Sequence, residues 1–185
     1  MTSPSRRLSG PEFGELFSSF RHSAFRLETL RAYDVADDRD RFRQFTEGRL
    51  LPPPSRPDED WQALVRGAVA AGKDMTRVHV LPPGLTPYLR YEIEWGYLYN
   101  ADAGERIMLL RHERPVAFLP GWAAHDFWLF DDAMAVRMYY DANGTYMYPE
   151  LITEGGDIER YRHVRDVAIA GAVTLQEYLV EVRNS

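Results

Sequence analysis

The chain has 185 residues, 45% of them hydrophobic and 13% aromatic, which suits one folded domain with a substantial core. It has no cysteine, which excludes disulfides, thiolate metal sites and cysteine nucleophiles. A net charge of −6 argues against a dedicated nucleic-acid surface, so direct nucleic-acid binding is not expected. No run approaches the ~20 apolar residues of a membrane span, and Arg6 and Arg7 are not followed by an apolar stretch. A cytoplasmic protein fits these features. The bases are 21 arginines to one lysine, Lys73. Codon bias in a GC-rich genome explains that first; selection of arginine for forked anion binding is the second reading.

In chain order, residues 1–10 read as a disordered leader. Residues 11–50 read as a helix-strand-helix extension. Its first helix opens at Pro11 with Phe13, Leu16 and Phe20 at helical spacing. Alternation from Ser23 predicts a strand through Tyr33, and Asp37 and Asp38 open a second helix that stops at Gly48. The proline-rich residues 51–57 read as an extended linker, leaving 58–185 as the main α/β domain. That domain starts with a helix from Asp58 to Gly72, then a buried strand from Met75 to Leu81. A helix over 87–100 and a strand over 106–111 follow. Residues 126–148 read as a three-strand meander, with a turn at Asp131 and Asp132 and a hairpin at Asp141–Gly144. Two amphipathic helices close the chain, one capped by Asp157 and one starting at Thr174.

Side chains for catalysis are scarce. Apart from Ser185, every serine lies in the N-terminal stretch or the linker, which argues against a serine hydrolase. Histidines 22, 79, 112, 125 and 163 are dispersed, and His163 with Glu159 makes only two ligands, so no metal site and no cofactor are expected. The cluster Asp37-Asp38-Arg39-Asp40 lacks the glycine and distal glutamate of a calcium loop and reads as a helix start. The basic run over 159–165 reads as a solvated helix face. In the 87–100 helix, Tyr88, Tyr91 and Trp95 share one face, with Arg90 and Glu92 beside them. Core packing explains them; a pocket wall that stacks on a planar ligand, with Arg90 pairing its anionic group, is the sharper alternative.

His125 and Asp132 stand at the spacing of the His-x-Lys-x4-Asp signature of phospholipase-D-type enzymes, but Phe127 holds the lysine position. The helix over 61–72 followed by Thr76-Arg-Val-His-Val-Leu81, and then Ala103-Gly-Glu-Arg-Ile107, resemble the element order of that family across residues 58–148. The resemblance implies a phospholipase-D-like sandwich, a mixed sheet of five or more strands covered by helices. In active members the histidine attacks phosphorus while the lysine neutralises the transition state. Without the lysine, the resemblance implies a degenerate site. His125 then stays open between a capping or core histidine, a retained anion contact and a surviving nucleophile.

The stretches Phe25-Arg-Leu-Glu28, Arg77-Val-His-Val80, Tyr88-Leu-Arg-Tyr-Glu92, Ala103-Gly-Glu105 and Asp126–Asp132 also resemble an actinobacterial family of unknown function. That family is often encoded beside helix-turn-helix regulators, which implies an accessory regulatory role with such a regulator as partner. A homodimer is a further implication, because active relatives with a single motif pair two chains. The leading expectation is therefore a non-catalytic regulatory or interaction protein that binds a small anionic or aromatic ligand. Arg77, Tyr88, Arg90, Glu92, Trp95, His125 and Asp132 are the candidate ligand contacts. The alternative is a phosphodiesterase-like hydrolase in which His125 is the nucleophile and Arg77 replaces the lysine.

Overall fold

A computed structural model describes residues 5–111 and 125–184. Its strands are β1 (Arg6–Arg7), β2 (Ser23–Glu28), β3 (Asp74–Val80), β4 (Arg106–Leu110), β5 (Phe127–Phe130), β6 (Met134–Tyr140), β7 (Tyr146–Ile152) and β8 (Val173–Thr174). Its helices are α1 (Gly10–Ser19), α2 (Arg39–Thr46), α3 (Arg56–Ala70), α4 (Pro87–Tyr91), α5 (Tyr97–Ala103), α6 (Gly155–Gly171) and α7 (Leu175–Arg183). The strands form one eight-stranded mixed sheet in the order β1-β7-β6-β5-β2-β3-β4-β8. β2, β3 and β4 are parallel, joined through helices, while β5, β6 and β7 run as the antiparallel meander read from the sequence.

Period-2 alternation divides the side chains of the central strands between two faces. One face presents Phe25, Leu27, Val78, Phe127 and Leu129 to Ile158, Tyr161, Val164 and Ala168 of α6. The opposite face begins apolar, where Ala24, Met75, Trp128 and Phe130 pack under Phe17 of α1 and Trp61 and Val65 of α3. Toward the C-terminal ends of β2 and β3 it becomes charged: Arg26 lies beside Arg77 and Glu28 beside His79 in the parallel register. Charges two residues apart on paired central strands must sit under a cover of their own. That cover is built by α2, α4 and α5.

Several sequence expectations change. The leader reading fails for residues 6–10: Arg6 and Arg7 pair with Leu151 and Glu150 on the outer edge of β7, whose backbone groups would otherwise be open. Ser9 then starts α1 through a reciprocal capping box with Glu12. Residues 1–4 of the leader and His112 lie outside the described residues. The N-terminal segment is not peripheral, because β2 lies between β3 and β5 in the middle of the sheet. β2 stops at Glu28, short of Tyr33, because the Thr29 amide donates to the Asp126 carboxylate and not to a neighbouring strand. The linker ends early, since Ser55 caps α3 with Asp58 as its capping-box partner. α6 is capped by Glu154 where Asp157 was expected; Asp157 sits in its first turn. The helix expected over 87–100 is interrupted at Glu92–Gly96 by a π turn, a widened turn that re-aims the side chains on either side of it. At the 141–144 hairpin Gly144 is obligatory: its φ is +85°, and a Cβ there would lie 2.6 Å from the Ala32 carbonyl oxygen.

Leu27 is fully buried on the face covered by α6. Leu27→Ala should lower unfolding stability by about 2–5 kcal/mol, read as a reduced urea midpoint at unchanged slope.

Candidate functional site

The charged face of the sheet forms the floor of a cavity of about 700 Å³. Arg26, Glu28 and Arg77 are its polar floor, Trp61 and Trp128 one wall, and Tyr33, Tyr88 and Tyr91 the other. This size lies within the range of small-molecule sites.

Every buried charge in the floor has a partner. Arg26, 4% exposed, donates from Nη2 to Asp126 Oδ2 at 2.9 Å and to Tyr140 Oη at 2.7 Å. Asp126 also accepts from the Thr29 amide at 2.8 Å, the Thr29 hydroxyl at 2.8 Å and the Tyr33 hydroxyl at 2.6 Å. Arg77 donates from Nε to Glu105 at 2.8 Å and from Nη1 to Glu28 Oε1 at 2.6 Å, and the Trp61 indole N–H donates to the other Glu105 oxygen at 3.1 Å. The Tyr97 hydroxyl donates to Glu28 Oε2 at 2.8 Å. Arg26 and Arg77 also lie 5.6 Å and 6.0 Å from the Trp128 ring.

His79 completes the set as a cation. Its Nε2 lies 3.0 Å from the Leu30 carbonyl, which only accepts, and its Nδ1 lies 2.5 Å from Tyr97 Oη, whose proton points to Glu28. Both ring nitrogens therefore donate. Burial opposes that charge, but the hydrogen bond and charge of Glu28 outweigh it and raise the imidazole pKa. Burial likewise pushes Glu28 up, and Arg77 with His79 more than reverses it, holding the carboxyl well below its ordinary range. Two arginines and a histidinium thus stand against Glu28, Glu105 and Asp126.

Two groups fall outside this balance. Nη1 of Arg26 is buried and has no hydrogen-bond partner. Glu92, in the π turn, has no arginine or lysine paired with it among the described residues; burial first, then the charges of Glu28 and Asp38, push its pKa up to about 8.

Of the residues singled out from the sequence, Arg77, Tyr88 and Glu92 line the cavity. Trp95 packs against Phe45 of α2, 5.4 Å between ring centroids, as part of the aromatic core under the cavity wall. Arg90 is exposed and does not line the cavity. His125 and Asp132 are not brought together, because β5 lies between them. His125 is exposed with its ring 6.3 Å from that of Tyr139, on the face that β6 shares with Arg137 and away from the cavity. Asp132 sits at φ 55° in the β5–β6 turn and pairs with Arg165 of α6. The residue before β5 that enters the site is Asp126, one position along from the expected histidine. Sequence reading missed Arg26, Glu28, His79, Glu105 and Asp126. Their signal was present: charges at alternate positions inside strands apolar enough to be central.

Across residues 11–180 the sequence matches the model of a domain of unknown function, DUF6879. The chain belongs to that family. No curated protein matches it. Among solved structures, Nuc from Salmonella typhimurium, a phospholipase D family member, is similar at TM-score 0.50 and 10% identity, over 92% of this chain and 97% of that one. NucT from Helicobacter pylori gives 0.48 and 9%, over 92% and 98%. The archaeal chromatin protein TrmBL2 gives 0.47 and 9%, over 92% of this chain and 53% of its own. The likeness to Nuc shows a phospholipase-D-like fold, as the element order implied. Among the described residues no helix is long and apolar enough to cross a membrane, and no group of three or more His, Asp or Glu could hold a metal ion.

Because the folded pKa of His79 is raised, its contribution to stability should be full below the unfolded value of about 6.5 and lost as pH climbs through the raised folded value. Urea midpoints measured from pH 6 to pH 9 should fall more steeply for the native chain than for His79→Gln. Removing one partner of the buried set, as in Glu28→Gln, should cost about 3–5 kcal/mol.

Proposed function

We propose that this domain is a non-catalytic ligand-binding module with a regulatory role, and that the cavity over β2 and β3 receives a small planar molecule. The observation that carries this reading is the cavity itself, about 700 Å³ with a polar floor of Arg26, Glu28 and Arg77 between walls of tyrosine and tryptophan. The rings of Tyr33, Tyr88, Trp61 and Trp128 supply stacking surface on either side. The regulatory half of the proposal, with a helix-turn-helix protein as the partner that reads out the bound state, rests on the family resemblance and on the lack of an assembled nucleophile among the described residues of the cavity.

A hydrolase built on His125 has less support. The imidazole is exposed on the other side of the sheet from Arg77, and Arg77 is committed to Glu28 and Glu105. Purified protein and His125→Ala should give the same background rate on an activated phosphodiester; a rate lost in the variant would restore the hydrolytic reading.

Thermal-shift screening against a metabolite library tests ligand binding. Ala36 is exposed at the cavity lining, so Ala36→Trp adds bulk there without touching the buried charges. A genuine ligand should raise the melting temperature of the native chain and lose most of that shift in Ala36→Trp. If every hit shifts both proteins equally, the cavity is not the binding site.

A further inference from the structure

The cavity also carries information about the charge of its occupant, on the footing of the ligand-binding reading above. Its lining includes three arginines, Arg26, Arg41 and Arg77, against six carboxyl groups, Glu28, Asp34, Asp37, Asp38, Asp58 and Glu92. The arginines are spoken for. Arg26 and Arg77 are matched within the floor by Asp126, Glu105 and Glu28, and Arg41 donates to Asp58 at 2.6 Å. Asp34 is tied to Arg39 at 2.8 Å. Asp37, Asp38 and Glu92 are left without an ion-pair partner; Asp37 is exposed, while Asp38 and Glu92 meet the hydroxyls of Tyr91 and Tyr88 and line the same space. Tyr88 and Tyr91, whose rings can stack on a positive group, stand beside them on α4.

We propose that the cavity selects a planar organic cation, seated with its positive group toward Glu92 and Asp38 and its ring between the aromatic walls. Anionic ligands, phosphate esters among them, are disfavoured by the same carboxyl groups. Burial first, then Asp58, raises the pKa of Asp38 even though the Tyr91 hydroxyl and the charge of Arg41 work the other way. Glu92 is affected more strongly, and the groups that act on it come from each element around it: Glu28 of β2, Arg77 and His79 of β3, Asp38 before α2, Tyr88 of α4 and Tyr97 of α5. With an unliganded pKa of about 8, Glu92 is mostly protonated at neutral pH and loses that proton when a cation docks against it. Affinity for the cation therefore rises with pH and levels off above the unliganded value.

Three ring compounds of nearly the same shape and different charge make the test: benzamidine, benzamide and benzoate, titrated by calorimetry and ligand-observed NMR to millimolar concentration. The native chain should prefer benzamidine over benzoate by about tenfold or more. It should release a proton on binding at pH 7, seen as a dependence of the heat on buffer ionisation enthalpy. Glu92→Gln should abolish the proton release and shrink the preference. Asp38→Asn, at the cavity edge, shrinks the preference independently should the first variant fold poorly. Equal binding of the three, a preference for benzoate, or a cation preference untouched by both variants overturns the charge selection and leaves the ligand-binding reading standing. Failure of all three compounds to bind also overturns it, while the library screen decides ligand binding separately.

Discussion

The charged set on the inner face of β2 and β3 is the constraint around which the structure is arranged. Arg26, Glu28, Arg77 and His79 occupy paired central strands, where apolar residues would be the simpler choice. Taking such groups out of water costs several kcal/mol each unless partners satisfy them. The chain meets that demand from four separate segments: Asp126 ahead of β5, Glu105 ahead of β4, Tyr97 from α5, and Thr29 and Tyr33 just past β2. Each hydrogen bond spans a long stretch of sequence, so the network fixes how these segments meet. It ends β2 at Glu28, because the Thr29 amide is drawn to Asp126.

Such a network also explains why the second layer on this face is not a simple helical cover. α1 and α3 close the apolar half, where Trp128 and Phe130 meet Phe17 and Trp61. Over the charged half the cover stands off. The π turn at Glu92–Gly96 widens the helix there, and Glu92 fills the space beside Gly96, where a Cβ would meet its carboxylate at 3.2 Å. The outcome is a cavity with a rigid, charge-balanced floor and walls of tyrosine and tryptophan. A preorganised site of this kind binds without ordering its own side chains first.

Much of the fold was legible in the residues. The meander over 126–148, the β3 strand and the flanking helices follow from alternation, glycine turns and capping residues, and the order of elements pointed to the phospholipase-D-like sandwich. The site was less legible, for a physical reason. The spacing of His125 and Asp132 drew attention to the face of β5 that turns away from the cavity, because a shift of one residue in a strand moves a side chain to the opposite face. Asp126 is the residue that points inward. The stretches Phe25–Glu28 and Arg77–Val80 stood out only by resemblance, though alternating charges within strands apolar enough to be central already marked a buried polar face. Which carboxylates would meet Arg26 and Arg77 could not be read from sequence, since they come from segments far apart along the chain. The π turn likewise leaves no periodicity signal that separates it from an ordinary helix.

Within this account the phospholipase-D-like sheet serves as a scaffold whose polar centre is closed upon itself, leaving Asp38 and Glu92 in the cavity lining for an external molecule. The most direct test is native mass spectrometry of the protein isolated from its own cells without unfolding. The account predicts a mass above that of the polypeptide by one small organic molecule, released when the protein is unfolded and reduced in amount in Ala36→Trp. A polypeptide that carries the bare mass in every gentle preparation, and that gains none when native cell extract is added back, would contradict it.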